Sequence, residues 1–182
     1  MEIYAKAEKF VTDTLEKGDN QNDIVHAQRT VYWVKQLKPD ADEALLVAAV
    51  AHDIERAIYG DWKKGSDDSV ALRKHQDLSA AEIEKFLAEE GVDKIFIERV
   101  KNLVAHHEEG GDAEQNILCD ADCLAFFEDK ALRRVQKWRE LGKTKDEMRH
   151  NLDFYFSRLT SPAAKAVAQK WYDLAVREIE SN

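Results

Sequence analysis

A histidine followed directly by an aspartate, His52-Asp53, stands inside the apolar run VAAVAHDIERAI. An ionised carboxylate in such a run has to be offset by a cation or by hydrogen bonds, because removing it from water unaided is costly. Adjacent side chains on a helix point about 100° apart, so this pair can converge on one ion lying against the helix. Imidazole with carboxylate is a donor set for Mn, Fe, Co, Ni or Zn, and for Mg where oxygen ligands dominate. More groups of the same kind occur along the chain. His26 begins an apolar stripe, with Arg29 three positions on and on the same face. His75 lies in RKHQDLSAAEI, His106 and His107 close VKNLVAHHEE, and Asp120 and Asp122 lie in the apolar ILCDADCLAFF. Taken singly, a histidine on an amphipathic helix is usually a core-edge or surface residue. A carboxylate inside an apolar run is more often a ligand or an ion-pair partner.

The elements that must position these groups read as helices throughout. Ile3, Ala7, Phe10, Val11 and Leu15 keep helical spacing over residues 2–17, and Gly18 follows. Ile24, Ala27, Val31 and Val34 form a stripe over about 23–37, ahead of Pro39. Residues 41–58 are apolar nearly all round, which predicts a helix in the middle of the protein. Further helices are predicted over about 67–90, 93–107, 114–129, 130–141, 144–158 and 162–180. Thr144 with Glu147 has capping-box spacing, and Ser161 before Pro162 suits a helix start. The irregular stretch YGDWKKGSDDS, 59–69, comes directly after the His-Asp helix. Seven glycines and two prolines in 182 residues suit long helices better than a turn-rich sheet. The expected architecture is all-α, one domain over 1–182 with about seven to nine helices.

Composition narrows the function classes. A formal net charge of −9 repels nucleic-acid backbone and anionic lipid, so duplex binding and membrane docking are poor readings. A small anionic substrate remains compatible, since a bound divalent cation inverts the local field. No apolar run approaches the ~20 residues needed to span a bilayer, and MEIYAKAEKF lacks a signal-peptide pattern. Cys119 and Cys123, four apart in an apolar helix, suit reduced thiols. The expected location is the cytoplasm, with a homodimer allowed for.

The order His26 … His52-Asp53 … Asp122 resembles the defining pattern of the HD superfamily of metal-dependent phosphohydrolases. IVHAQRTVYWVKQL resembles the opening His helix of that family and VAAVAHDIERA its His-Asp helix. KHQDLSAAEIEKFL and RVKNLVAHHEE resemble the following pair, and LCDADCLAFFED the closing Asp helix. The resemblance implies a divalent ion (Mn, Mg, Fe, Co or Ni) held by His26, His52, Asp53 and Asp122, with Asp120 in a supporting place. His75 and His106 fall where some branches bind a second metal and others line the phosphate pocket. His106-His107-Glu108 is similar to the His-His-Glu of cyclic-dinucleotide phosphodiesterases. The Gly-Tyr-Pro that should follow is replaced by EGGDAEQ.

Phosphoryl transfer needs positioning, charge neutralisation and an activated water. Asp53 is placed to orient that water. Glu55, three residues after His52, can pass a proton to the leaving oxygen, and Arg56 can clamp a phosphate. A surface ion pair is the alternative for both. Several relatives carry a catalytic Glu where this chain has Arg56, which speaks against a nucleotide pyrophosphohydrolase. Lys63 and Lys64 can steer an anion, a solvated lysine pair being the alternative. The leading reading is hydrolysis of a phosphomonoester or phosphodiester in a nucleotide or similar small metabolite by a metal-activated water. A di-iron oxygenase of the same superfamily and a non-catalytic nucleotide sensor are the competing readings.

Overall fold

Helix follows helix through residues 2–18, 21–60 and 68–181, the stretches described by the computed structural model. The elements are α1 (Glu2–Lys17), α2 (Gln21–Leu37), α3 (Glu43–Ala51), α4 (Glu55–Tyr59) and α5 (Ser69–Glu89). They continue with α6 (Lys94–Val104), α7 (Ala113–Ala125), α8 (Ala131–Glu140), α9 (Lys145–Ser157) and α10 (Pro162–Glu180). α3 runs into α4 through a tight turn, and α7 into α8 through a single π turn at Phe126–Lys130. Counted as continuous rods there are eight, and no strand occurs among the described residues. The all-α expectation holds.

Starts are fixed by the side chains expected to fix them. The Thr144 hydroxyl accepts from Glu147 N while the Glu147 carboxylate accepts from Thr144 N, and Ser161 Oγ accepts from Ala164 N ahead of Pro162. Asp42, Asp68, Asp93 and Asp112 cap α3, α5, α6 and α7 in the same way.

Three boundaries differ from expectation. The helix predicted over 41–58 is interrupted at His52–Ile54, where the ladder tightens to i→i−3 bonds. Ile54 N donates to Ala51 O (3.1 Å) and Arg56 N to Asp53 O (3.2 Å). Such tightening changes the angle between successive side chains, and here it falls on the His-Asp pair. The helix predicted over 93–107 stops at Val104, with His106 N and His107 N bonded back to Leu103 O and Val104 O. The break predicted between residues 129 and 130 is instead the π turn, in which Ala131 N donates to Phe126 O.

α3 lies at the centre because every residue from Ala44 to Ala51 is buried. Small side chains on all its faces let α1, α2 and α6 approach at once. These helices, with α5 and the first half of α7, enclose one apolar cluster containing Leu15, Val34, Leu45 and Ile83. A second cluster, with Phe127, Val135, Leu152 and Ile179, joins the end of α7 to α8, α9 and α10. Asp122 sits in sequence between the two, after Ala121 of the first and before Cys123 of the second.

Leu45 is fully buried on α3. Leu45→Ala should cost about 2–5 kcal/mol through lost transfer energy and the cavity left behind. That corresponds to a melting temperature lower by at least about 4 °C, read by circular dichroism at 222 nm.

Candidate metal centre

Six side chains from five segments meet beneath α3. His26 comes from α2, His52 and Asp53 from the tight turn, His75 from α5, His107 from the turn after α6, and Asp122 from α7. All are buried, and none exceeds 6% exposure. Asp53 is the common member, because its two oxygens face different histidines. Oδ2 lies 3.7 Å from His26 Nε2 and 3.6 Å from His52 Nε2. Oδ1 lies 3.0 Å from His75 Nε2 and 3.8 Å from His107 Nε2. Asp122 Oδ1 completes the first group, at 2.9 Å from His26 Nε2 and 3.5 Å from His52 Nε2.

The far nitrogens show which way the lone pairs point. His52 Nδ1–H donates to Ala49 O (2.9 Å), His107 Nδ1–H to Val104 O (2.7 Å) and His75 Nδ1–H to Glu55 Oε1 (2.6 Å). Each bond leaves Nε2 aimed inward, the arrangement by which proteins fix metal-binding histidines. Nε2 of His75 and of His107 then stand 3.1 Å apart, and those of His26 and His52 3.4 Å apart. Two bare lone pairs would repel at such distances, so each pair needs a proton or a cation between or beside it. Four buried side-chain polar atoms lack a hydrogen bond among the described residues, and three of them are His26 Nδ1, Asp53 Oδ2 and Glu108 Oε2. Of these, Asp53 Oδ2 faces the first histidine pair, where an ion would supply its missing partner. The donor atoms form three overlapping triads, each within 4.8 Å: His26/His52/Asp53, Asp53/His75/His107 and His107/Glu108/Asp122. Nitrogen and oxygen donors in this mix fit a divalent transition metal.

The electrostatics keep the acids ionised. Burial opposes charge on Asp53, but the Arg56 guanidinium, with His52 and His75, outweighs it and holds the carboxyl well below the usual range. Arg56 Nη1 lies 3.1 Å from Asp53 Oδ2, an ion-pair contact without hydrogen-bond alignment. Burial likewise opposes charge on Asp122 and Glu108, and Arg158 outweighs it in both, at 2.8 Å from each. Burial lowers His26 to about 4, with nearby Lys130 adding to the effect, and burial also lowers His107. For His75 burial works against the charge, yet hydrogen bonds to Asp53 and Glu55 raise it to about 9.

The six converging side chains were all candidates by sequence, but two neighbours take other places. His106 was expected beside His75, with His107 a further candidate. His106 is half-buried and its Nδ1–H donates to Asn102 O (2.8 Å), while His107 is fully buried and faces the centre. The apolar stripe Ile97, Val100, Val104 continues at 107 and bypasses 106, a signal present in the sequence. Glu55, expected to handle a proton at the leaving oxygen, is wholly buried and bonded to the outer nitrogen of His75. In that place it holds the His75 ring. Asp120 turns from the centre and accepts from Thr160 N and Ser161 N at the start of α10. Arg56 does face the site. Lys63 and Lys64 lie outside the described residues.

A family described as a domain of unknown function, DUF4202, matches residues 4–177. The chain belongs to that family. Neither a curated protein nor a solved structure matches it. No helix among its described residues is long and apolar enough to cross a membrane.

Sequence reasoning overlooked two parts of the DUF4202 site. Arg158, at the end of α9, reaches under α7 to pair with Asp122 and Glu108. Nothing local in FYFSRLT marks it out, because its partners are distant in sequence. A cavity of about 160 Å³ also adjoins the centre, lined by Asn22 and Asp23 of α2, by Arg56, and by four cations, Lys130, Arg133, Arg134 and Lys137. Those four residues recur at positions i, i+3, i+4 and i+7, a helical period legible in KALRRVQK.

Asp53→Ala should abolish retention of a divalent metal, measured as metal per chain after purification. His107→Ala should lower it strongly, and His106→Ala should leave it at the wild-type level. Loss of metal in His106→Ala equal to that in His107→Ala would contradict the geometry.

Proposed function

We propose that this DUF4202 chain is a metal-dependent phosphohydrolase of the HD type, acting on a small phosphorylated substrate. The observation that carries the reading is Asp53 set between two histidine pairs, His26/His52 and His75/His107, with Asp122 closing the first. In this reading His26, His52, Asp53 and Asp122 hold one divalent ion, and Asp53, His75 and His107 hold a second. A bound ion of this kind supplies Lewis acidity toward a phosphoryl oxygen and brings the pKa of water near neutrality.

The chain's own residues do the rest. Glu55 holds His75 in one tautomer and one orientation. Arg158 neutralises Asp122 and Glu108, so that the acids are not a bar to an anionic substrate. Arg56 is the half-open cation nearest the centre and lines the adjoining cavity. Its planar fork suits two oxygens of a phosphoryl group. The four imidazoles make a nitrogen-rich set that also suits iron, and this favours a di-iron oxygenase as the second reading.

The test is phosphate release from an aryl phosphate and a nucleotide panel, with Mn, Mg, Co and Ni supplied in turn. Release is expected with at least one metal. Arg56→Ala should reduce kcat/KM by roughly 10²–10³, the usual effect of losing one charge-assisted contact to a transition-state phosphoryl group. No release with any metal, together with two irons per chain and oxygen consumption, would move the assignment to the oxygenase. Ligand binding without turnover would move it to a sensor.

A further inference from the structure

The cavity beside the centre holds more positive charge than one phosphoryl group needs. Its floor is buried and its rim is not. Lys130 is 8% exposed, whereas Arg133 and Lys137 on the same face of α8 are open to solvent. Three of the five lining cations have acids of their own. Arg56 pairs with Asp53, Lys130 Nζ lies 2.7 Å from Asp23 Oδ1, and Arg133 Nη2 lies 2.7 Å from Asp129 Oδ2. Arg134 and Lys137 meet no acid among the described residues. Two uncompensated cations, three apart on one helix and facing a cavity, are unexpected in a chain of net charge −9.

A phosphoryl group carries about −1.5 to −2 near neutral pH, which matches the charge those two residues leave unbalanced. The cavity's 160 Å³ is worth about five waters of liquid volume, enough to admit a phosphoryl group. Lys130 and Lys137 lie seven residues apart, about 10 Å along the helix axis. The basic face therefore leads outward from the Arg56 end instead of duplicating it.

We propose that Arg134 and Lys137 bind a second phosphoryl group of the substrate, so that the site selects diphosphates or bisphosphates over monophosphates. The place of the first phosphoryl group, at Arg56 and the metal ligands, rests on the phosphohydrolase reading. The second group needs only the charge and shape of the cavity. Neither α8 residue touches the centre, so substituting them leaves the metal ligands intact.

The experiment is calorimetric titration of the magnesium-loaded protein with inorganic phosphate and with magnesium pyrophosphate. Pyrophosphate should bind at least about tenfold more tightly than phosphate. Arg134→Gln with Lys137→Gln should remove that preference, weakening pyrophosphate about 10–100-fold while leaving phosphate affinity and metal content unchanged. Arg134→Lys with Lys137→Arg should keep it, which separates charge from packing. Equal affinity for the two anions, binding of neither, or an undiminished preference in the glutamine variant would overturn the proposal. If the preference is lost as expected but no phosphoester is ever hydrolysed, the hydrolase reading falls and the pocket stands. If monophosphates are turned over and the glutamine variant binds pyrophosphate like the wild type, the pocket falls and the hydrolase stands.

Discussion

Keeping Asp53, Glu108 and Asp122 ionised out of water is the constraint on which the arrangement of the helices depends. Each carboxylate is less than a tenth exposed, and an isolated buried charge costs several kcal/mol even after relaxation. The compensation comes from both sides of the molecule. Arg56 approaches from α4 and Arg158 from the end of α9, while four imidazoles fill the space between. Arg158 also donates from Nε to Glu108 O at 3.0 Å, which ties the turn after α6 to the α9–α10 corner. Because these partners come from α4, the α6 turn, α7 and α9, none of these elements can shift without leaving a buried charge unpaired. The two apolar clusters supply cohesion, but the ionic centre fixes how one is set against the other.

The same constraint explains why the histidines differ although they share one centre. His26 and His107 are held neutral chiefly by burial, while the two carboxylates next to His75 raise it. Lys130 adds to the effect on His26 from the direction of the basic cavity. The centre and the cavity are thus one electrostatic object: an acidic, nitrogen-rich interior that opens toward a cationic rim. In an acidic chain, this arrangement confines positive charge to one face without charging the whole surface.

Much of this was legible in the sequence, and what was missed has identifiable causes. The apolar run around His52-Asp53 announced the central helix, and the capping residues at Thr144 and Ser161 stand where they were read. The tight turn at His52–Ile54 was not legible, since no glycine or proline marks it; the packing of the centre imposes it. The preference for His106 over His107 came from the family resemblance, and the stripe through Ile97, Val100 and Val104 would have corrected it. Glu55 was placed near the centre by helical spacing, but its bond to His75, twenty residues away, left no local signal. Arg158 belongs to the same class: long-range charge pairing leaves no local pattern.

The π turn at Phe126–Lys130 sets the phase between the two halves of the α7–α8 rod. It takes up one residue more than an α turn, so everything beyond it is rotated by about 100° relative to an uninterrupted helix. Asp122 lies before the turn and faces the metal-binding side, whereas Lys130, Arg134 and Lys137 at or beyond it face the cavity. Removing any single residue from Phe126 to Lys130 would restore α geometry and carry the basic stripe away from the cavity, leaving the composition of that stripe almost unaltered. In this fold the spacing between a buried acid of the centre and the basic face of the cavity is kept as an angle. A change of length by one residue can therefore disable the pairing where many substitutions would not.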